Sequence, residues 1–397
     1  MYCISQMNPE LFRLMIHHHD VARVDDAGTI WLTAGIAHWV SALADYFKEI
    51  GLLLHQSSTA LPRQDTPIDR DNVRLYSLGA PGKTWDRIPR MRRIRQVCQQ
   101  AGARADGLLI RGITPRQHTV WNHTSVPHKA FLLVGSLTAR SSVQFTPFGL
   151  YAAIISKHRK QEFREIASHN TLLMVNSPAY VAEIDHLYGF QAHFVPTNTI
   201  RKAEFAPFQV RSLSNPVRLL YCGRLDYQKG LQELFQATSI LLQSGLDCEL
   251  EIVALKKEPV YTQLRTIAED FGLADIVHWH DYVPYGLKLF QIYQSADIFI
   301  LPTYTEGFPR VLWEAAANCC PTITTTVGGI PALWENERHG LLVPPKNVAA
   351  LVNAIQRLLY DHPLRQHLIS QAYKHALDYT VENCSEKMAI VLSRNWS

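Results

Sequence analysis

Residues 295–317, SADIFILPTYTEGFPRVLWEAAA, decide the fold class. The apolar run at 297–301 predicts a buried strand, and the residues from 309 onwards have the apolar spacing of a helix. The loop between them contains Glu306, and the helix contains Glu314. Strand, loop and helix in this order form the unit of a parallel α/β sheet, whose ligands bind beyond the carboxyl ends of the strands. We therefore expect a ligand site around Glu306.

The same alternation continues on both sides of this stretch. The predicted strands cover 217–223, 248–255, 276–283, 297–303, 321–326 and 340–345. The predicted helices cover 231–245, 260–272, 287–296, about 309–319, 331–337 and 347–362. This pattern predicts a parallel sheet covered on both faces, as in a Rossmann-like domain.

The first half of the chain is less regular but similar in kind. A helix is predicted at 36–51, and the strand candidates are 28–35, 52–58, 72–78, 105–112, 129–135 and 170–177. The segment 199–216 has no clear period and is rich in turn residues, as expected of a linker. We therefore predict a Rossmann-like domain at 1–205 and another at 206–375.

Composition excludes several classes of protein. The chain has 397 residues, of which 47% are hydrophobic and 19% charged, as expected of two globular domains. A net charge of +4 is too small for a nucleic-acid-binding surface. No apolar run is long enough to span a membrane and the first residues lack the order of a signal peptide, so we expect a cytoplasmic protein. The seven cysteines contain no CxxC pair, which argues against disulfides and a zinc site.

The two glutamates suggest the kind of ligand. Pro309 suits the first turn of the predicted helix, whose free N–H groups would favour a phosphate. A carboxylate accepts hydrogen bonds from hydroxyl groups rather than from phosphate, so a diphosphate flanked by sugars, that is a nucleotide sugar, would suit Glu306 and Glu314. Arg224 and Lys229, after the first strand of this domain, would add positive charge for the diphosphate. The alternative is that both are ordinary solvated cations.

Four segments together resemble the donor domain of the family 4 retaining glycosyltransferases, the glycosyl transferases group 1. They are CGRLDYQKG, SADIFILPTYTEGFPRVLWEAAA, PTITTTVGGIPAL and GLLVPP, in that order between 222 and 345. The resemblance implies the α/β fold named GT-B, with two Rossmann-like domains facing a cleft. It also implies that the C-terminal helix, within 376–397, crosses back to the first domain.

The resemblance also implies roles for individual residues. Glu306 would contact the transferred sugar and Glu314 the ribose diol, while Arg224 and Lys229 would bind the diphosphate. Backbone groups near the donor would come from Gly223, Gly307, Phe308 and Val311. The chain departs from the family pattern after its second strand, where Ala254, Leu255, Lys256 and Lys257 replace a glycine-rich turn, and at NCCP (318–321), which lacks the usual glycine.

Fewer residues indicate where the acceptor would bind. Gly35, in TAG (33–35), is the nearest match to the family's glycine-rich first loop. Where many relatives have a histidine, this chain has Arg111, with Arg116 shortly after it. These arginines would bind a phosphate or carboxylate of the acceptor, or else form ordinary ion pairs.

Three other segments carry chemistry-bearing residues without fitting a site. IHHHD (16–20) places adjacent histidines on opposite faces of an extended chain, so a metal site is not favoured. DRDN (69–72) fits the Asp-x-Asp pattern of metal-dependent transferases, which we attribute to chance. The basic stretch 83–97 predicts either a solvated helix or a peripheral contact with an anionic membrane at its inner face.

The sequence therefore predicts a retaining, metal-independent glycosyltransferase of the hexosyltransferase type. Its co-substrate would be a nucleoside diphosphate sugar, with no further cofactor, and its acceptor a sugar, a glycolipid or a small molecule, in polysaccharide or glycoconjugate biosynthesis. Two alternatives stay open: a sugar phosphorylase or sucrose-synthase-like enzyme of the same fold, and a non-catalytic protein that binds nucleotide sugars.

Overall fold

The computed structural model describes residues 12–59, 61, 63–81, 87–112, 114, 117–134, 161–167, 171–256 and 260–396. The chain divides into two units. The first comprises Met1–Thr199 with Val381–Ser397, and the second comprises Ile200–Thr380. The linker predicted at 199–216 begins at this division.

The first unit is an α/β domain built on a mostly parallel sheet. Its strands are β1 (Arg13–Val24), β2 (Ile30–Leu32), β3 (Glu49–Ser57), β4 (Thr66–Pro67), β5 (Val73–Ser77), β6 (Gly107–Arg111), β7 (His128–Leu133), β8 (Leu172–Val175) and β9 (His193–Phe194). Its helices include α1 (Ala34–Leu43), α2 (Arg87–Gly102), α3 (Gln117–His123), α4 (161–167) and α5 (Pro178–Tyr188). The parallel strands have the order β5-β3-β1-β6-β7-β8-β9, while β2 and β4 extend the sheet in antiparallel fashion.

β1 is an interior strand of this sheet, between β3 and β6. Its side chains alternate between two buried clusters, since Leu14 and Ile16 pack with α1 while Met15 packs with α2. Such burial on both faces is typical of a central parallel strand.

The second unit contains a fully parallel sheet. Its strands are β10 (Val217–Cys222), β11 (Cys248–Val253), β12 (Val277–His280), β13 (Ile298–Leu301), β14 (Thr322–Thr325) and β15 (Leu341–Val343). Its helices are α6 (Leu231–Gln243), α7 (Tyr261–Asp270), α8 (Leu287–Ser295), α9 (Val311–Ala317), α10 (Ile330–Leu333), α11 (Val348–Tyr360) and α12 (His362–Asp378). The strand order β12-β11-β10-β13-β14-β15 is the Rossmann order, so the strand order reverses beside β10 and β13. The last helix, α13 (Val381–Trp396), belongs to the first unit.

Several predicted elements differ from the structure. The helix predicted at 36–51 ends earlier, because the chain enters β3 at Glu49. β1 is absent from the strand candidates because its apolar residues are followed by three histidines and an aspartate. The helix predicted at 331–337 is the four-residue α10, which ends at Leu333.

Candidate active site

Two loops of the second unit meet at the carboxyl edge of its sheet. The loop after β10 forms a 3-10 turn at 227–229 that is capped by Asp226. The Asp226 side chain accepts a hydrogen bond from the N–H of Gln228 at 2.9 Å. The loop after β13 is tied to this turn, because the N–H of Tyr304 donates to the carbonyl of Gln228 at 2.7 Å. Gly230 has a φ of 69°, and a Cβ there would lie 2.0 Å from the carbonyl oxygen of Pro302. Only glycine therefore permits this close approach of the two loops.

Lys229 and Glu306 form an ion pair where these loops meet. The Lys229 ammonium donates to Oε1 of Glu306. Lys229 is buried and Glu306 is half-buried. A third loop supports the pair, since Gly328, with a φ of 56°, would place a Cβ 1.8 Å from the carbonyl oxygen of Glu306. The backbone at Glu306 is thus enclosed by the loops that follow three strands.

Arg224 lies shortly before Lys229 in the same loop but differs from it in environment. Its side chain is exposed and, among the residues that the structure describes, forms no ion pair. Its backbone is held by the phenol of Tyr221, which donates to the Arg224 carbonyl at 2.6 Å. Gly223 donates its N–H to the carbonyl of Val253 at 3.1 Å and so ends the pairing of β10 with β11. The guanidinium is therefore available to an anion at this edge.

Glu314 is buried within α9 rather than exposed at the surface. The phenol of Tyr293, on α8, donates to its Oε2 at 3.0 Å. Burial raises the pKa of Glu314, while Arg310 and the hydrogen bond from Tyr293 act in the opposite direction. The thiol of Cys222 lies in the same environment, where burial raises its pKa to about 12. A buried carboxylate is costly in a core unless its charge is compensated, so Glu314 is a candidate for a binding role.

The helix that carries Glu314 is shorter than predicted. α9 has seven residues and begins at Val311, so Pro309 lies before the helix instead of in its first turn. The dipole of so short a helix is small, which weakens the predicted anion site at its N-terminus. The ring of Phe308 is buried against Trp313, with 4.8 Å between ring centroids. Phe308 therefore offers a ligand its backbone, as does the half-buried Gly307.

The sequence analysis did not identify Tyr293. In QIYQSA (291–296) it occupies an apolar helical position and reads as a core residue. A phenol at a buried position needs a hydrogen-bond partner, and this requirement is the one feature of the sequence that could have pointed to a polar partner for Tyr293.

The turn after β11 has no glycine. Ala254 is buried there, and the N–H of Lys256 donates to Asp281. Lys257 lies outside the described residues.

The predicted acceptor residues belong to the first unit. Arg111 ends β6 and is buried, with its guanidinium 5.1 Å from the centroid of the Trp39 ring. Gly35 lies in the first turn of α1 rather than in a loop. Arg116 lies outside the described residues. The structure therefore describes the surroundings of Arg111 and Gly35 only.

The DRDN segment makes structural contacts. Arg70 pairs with Asp45 at 2.9 Å, and the Asn72 amide donates to the carbonyls of Ala44 and Phe47 at 2.9 Å each.

Within the described ranges, no group of three or more His, Cys, Asp or Glu residues is placed to hold a metal ion. In the same part of the chain, no helix is both long and apolar enough to cross a membrane. The six cysteines that the structure describes are buried and none of them forms a disulfide with another.

Comparison with known proteins agrees with this geometry. Residues 202–375 match the family model described as glycosyl transferases group 1. A D-inositol 3-phosphate glycosyltransferase of Corynebacterium urealyticum is 28% identical over 260 residues, which are 58% of this chain and 59% of that protein. The match therefore spans little more than half the length of this curated relative.

Solved structures extend the likeness to the whole fold. Sucrose-phosphate synthase from Thermosynechococcus elongatus superposes with a TM-score of 0.70 at 17% identity, over 95% of this chain and 97% of that one. The Anabaena protein HepE, solved in complex with UDP-glucose, superposes with a TM-score of 0.69 at 15% identity, over 96% and 100% of the two chains. At such identities the likeness concerns the fold alone. Residues 202–375 are thus similar to the glycosyl transferases group 1, and the chain has the two-domain α/β fold named GT-B.

Proposed function

We propose that the protein is a retaining, metal-independent glycosyltransferase that transfers a hexosyl unit from a nucleoside diphosphate sugar to a hydroxyl group. The observation that carries this proposal is the ion pair between Lys229 and Glu306. It sets a cation suited to a phosphate against a carboxylate suited to sugar hydroxyls, at the carboxyl edge of a Rossmann sheet. In a sugar diphosphate the sugar and the phosphate are joined by the bond that a glycosyltransferase breaks.

The pair gives each residue a distinct part in the reaction. A donor diphosphate would compete with Glu306 for the Lys229 ammonium, and Arg224 is exposed and ready to contact the same anion. As the bond between the anomeric carbon and the phosphate oxygen breaks, negative charge grows on the phosphate next to these two cations. The carboxylate of Glu306 would then face an anomeric carbon that becomes positive.

A same-face transfer would account for the chemistry without a protein nucleophile. The departing phosphate oxygen takes the proton of the acceptor hydroxyl, and the acceptor oxygen forms the new glycosidic bond on the face that the phosphate leaves. The two cations perform the charge neutralisation for which other transferases use a divalent metal ion. Glu314, held by Tyr293, would accept hydrogen bonds from the ribose hydroxyls.

The similar proteins support the substrate classes. HepE was solved with UDP-glucose, which supports a nucleoside diphosphate sugar as donor. The relative from C. urealyticum is named for a phosphorylated polyol acceptor. Polysaccharide or glycoconjugate biosynthesis is the setting that we propose for the product.

A product assay tests the proposal. The protein would be incubated with a panel of UDP- and GDP-sugars and hydroxyl acceptors, with and without EDTA, and the products followed by NMR. We expect a glycoside with the anomeric configuration of the donor, formed at an unchanged rate in EDTA. A requirement for manganese would contradict the role of Arg224 and Lys229. Binding of nucleotide sugars without turnover on any acceptor would indicate a binding protein instead.

A further inference from the structure

A cavity lies at the amino-terminal edge of the first sheet. Its volume of about 440 Å³ is within the range of small-molecule binding sites. Its walls include the first residues of the neighbouring strands β7, β8 and β9, which are His128, Leu172 and His193, and the end of α13 at Asn395 and Trp396. All of these belong to the first unit. Because parallel sheets bind their substrates beyond the carboxyl ends of the strands, this cavity is separate from the expected acceptor site.

The walls of the cavity contain basic side chains. They include Lys129 and the two histidines His128 and His193, while none of the described residues that line the cavity is an Asp or a Glu. Lys129 is half-buried and forms no ion pair with the part of the chain that the structure describes. Burial is the cause that lowers its pKa. A half-buried ammonium without a counter-ion is costly, so an anion in the cavity would be bound favourably.

The Lys129 ammonium is held in place and still has hydrogens to donate. It donates to the backbone carbonyl of Trp121 at 2.6 Å and lies 5.1 Å from the centroid of the Trp121 ring. An ammonium group carries three hydrogens, and one carbonyl uses one of them. The others can donate to the oxygen atoms of a phosphate or a carboxylate, in charge-assisted hydrogen bonds that are stronger than neutral ones.

Other side chains in the walls can accept hydrogen bonds from hydroxyl groups. The Thr171 hydroxyl donates to the carbonyl of Ile166 at 2.5 Å, which leaves the lone pairs of its oxygen to accept. The Asn395 amide nitrogen donates to the carbonyl of Val391 at 2.8 Å, which leaves the amide oxygen as an acceptor. The exposed Gln191 lies in the same walls. A ligand with hydroxyl groups as well as a negative charge would therefore match the cavity.

Aromatic contacts give two of the walls a fixed form. The Trp396 ring stacks on Phe12 and on His128, with centroid separations of 5.5 and 5.7 Å, and so ties the end of α13 to the start of β7. On the other side, the ring of Phe190 stacks on that of Tyr188 with 6.0 Å between centroids. Such packing holds the cavity open before a ligand arrives, which lowers the entropic cost of binding.

We propose that this cavity binds a sugar or polyol that carries a phosphate or a carboxylate, as a ligand distinct from the donor and the acceptor. Lys129 and the two histidines would contact the charged group, while Thr171 and Asn395 would accept hydrogen bonds from the hydroxyls. The site goes beyond the proposed function, because the binding does not depend on any transfer reaction.

Equilibrium binding tests the site. Isothermal titration calorimetry on the wild-type protein would compare glucose-6-phosphate, glucuronate, inorganic phosphate and glucose. We expect one of the two charged sugars to bind at least about tenfold more tightly than glucose and than inorganic phosphate. The charged sugar that binds more tightly identifies the group as phosphate or carboxylate. Equal affinities for glucose and both charged sugars, or inorganic phosphate binding as tightly as the sugar phosphate, would overturn the proposal.

Matched lysine variants locate the binding. Lys129→Gln should weaken the preferred charged sugar by roughly tenfold or more, and Lys129→Arg should restore part of the affinity. Lys48→Gln removes the same charge at an exposed position just before β3, on the same edge of the sheet but outside the cavity, and should bind like the wild type. Lys229→Gln, at the proposed reaction site, should also keep the affinity. Loss of binding in Lys229→Gln but not in Lys129→Gln would assign the ligand to the reaction site and refute the cavity.

A measurement on the wild-type protein decides the matter even if Lys129→Gln does not fold. The protein with ¹⁵N-labelled histidines would be titrated with the preferred charged sugar, and the signals of His128 and His193 would be assigned with His128→Gln and His193→Gln. We expect both signals to shift on saturation. Unchanged signals from both rings would refute the site, whether or not the protein transfers a sugar, so this failure is distinct from a failure of the proposed function.

Discussion

The phenol of Tyr293 donates a hydrogen bond of 3.0 Å to Oε2 of Glu314, and both side chains are buried between α8 and α9. Burial is the main cause that raises the pKa of Glu314, while the charge of Arg310 and this hydrogen bond oppose the rise. The phenol therefore favours the ionised carboxylate, which is the form able to accept hydrogen bonds from two hydroxyls. Tyr293 thus serves as a positioning residue for Glu314.

Removing this hydroxyl should change the pH dependence of donor use. In Tyr293→Phe the ionised form of Glu314 loses its donor, so its pKa rises further above the usual value. We expect the acid limb of the kcat/KM profile for the donor to move to higher pH, with a rise in donor KM of roughly three- to tenfold at neutral pH. Steady-state kinetics between pH 5 and 8 measure both. An acid limb at the wild-type position would mean that Tyr293 only fills space.

Glu314→Gln should weaken donor binding without weakening the fold. Because burial raises the folded pKa of Glu314 above 4.5, the native state binds more protons than the unfolded chain as pH rises through that window. The ionised carboxylate therefore lowers stability at neutral pH, and a neutral amide should leave Tm unchanged or raise it. We expect a raised donor KM and little change in kcat, since the ribose alters little during the reaction. A clearly lowered Tm at neutral pH would instead indicate that Glu314 buttresses the helix.

Much of the second unit could be predicted because its strands and helices alternate regularly and its motifs follow the strands. Glu306 and Lys229 could be placed at one edge of the sheet from this order alone, since carboxyl ends of parallel strands share an edge. Their direct ion pair could not, because it depends on Gly230 and Gly328 bringing the loops into contact. Such close approaches depend on tertiary packing and cannot be predicted from a local sequence pattern.

The first unit was harder to predict for a similar reason. β1 begins with apolar residues but continues through HHHD, which looks like a loop until the neighbouring strands bury it. The helix predicted at 36–51 extended too far because Glu49 and Ile50 fit the helical pattern locally. In the structure these residues belong to β3, because they pair with β1. The contact of His18 with Arg111, at 3.0 Å between Nε2 and Nη1, depends on the register of β1 with β6, so it could not be predicted before the strands were known.

The stability of the second unit should fall in mild acid. The rings of His339 and His375 stack 4.0 Å apart. Burial is the main cause that lowers the pKa of His339 to about 4, and it lowers that of His375 as well. Below pH 6.5 the unfolded state binds protons on these two histidines that the native state does not. Stability therefore decreases as the pH falls from 6.5 towards 4, by about 2 kcal/mol between pH 6.5 and 5.

Denaturant unfolding at pH 7, 6 and 5 measures this loss. His339→Asn should flatten the dependence on pH, whereas His367→Asn, at an exposed position on α12, should retain it. Equal slopes for the two variants would show that the acid sensitivity arises elsewhere.

The basic helix α2 gives a prediction about membranes, which holds if the acceptor is lipid-linked. Its Arg92, Arg93 and Arg95 are exposed, while Ile94 and Cys98 are buried. Each arginine near an anionic surface contributes about 1 kcal/mol, so reversing all three to Glu should release the protein from anionic vesicles. Sedimentation with anionic and neutral vesicles measures this. Equal binding to both, or binding to neither, would identify α2 as a solvated helix.

The central claim is that Glu306 stabilises positive charge on the transferred sugar, and kcat of Glu306→Gln tests it most directly. The substitution keeps the shape and removes the charge, and losing a charged hydrogen bond in the transition state costs on the order of 2 to 4 kcal/mol, or roughly thirty- to a thousandfold in rate. The control is Glu269→Gln, which removes an exposed carboxylate on α7 that pairs with Arg265 and should leave kcat unchanged. With rates corrected for the folded fraction, we expect that fall in kcat for Glu306→Gln alone. A kcat near that of the wild type would contradict the account.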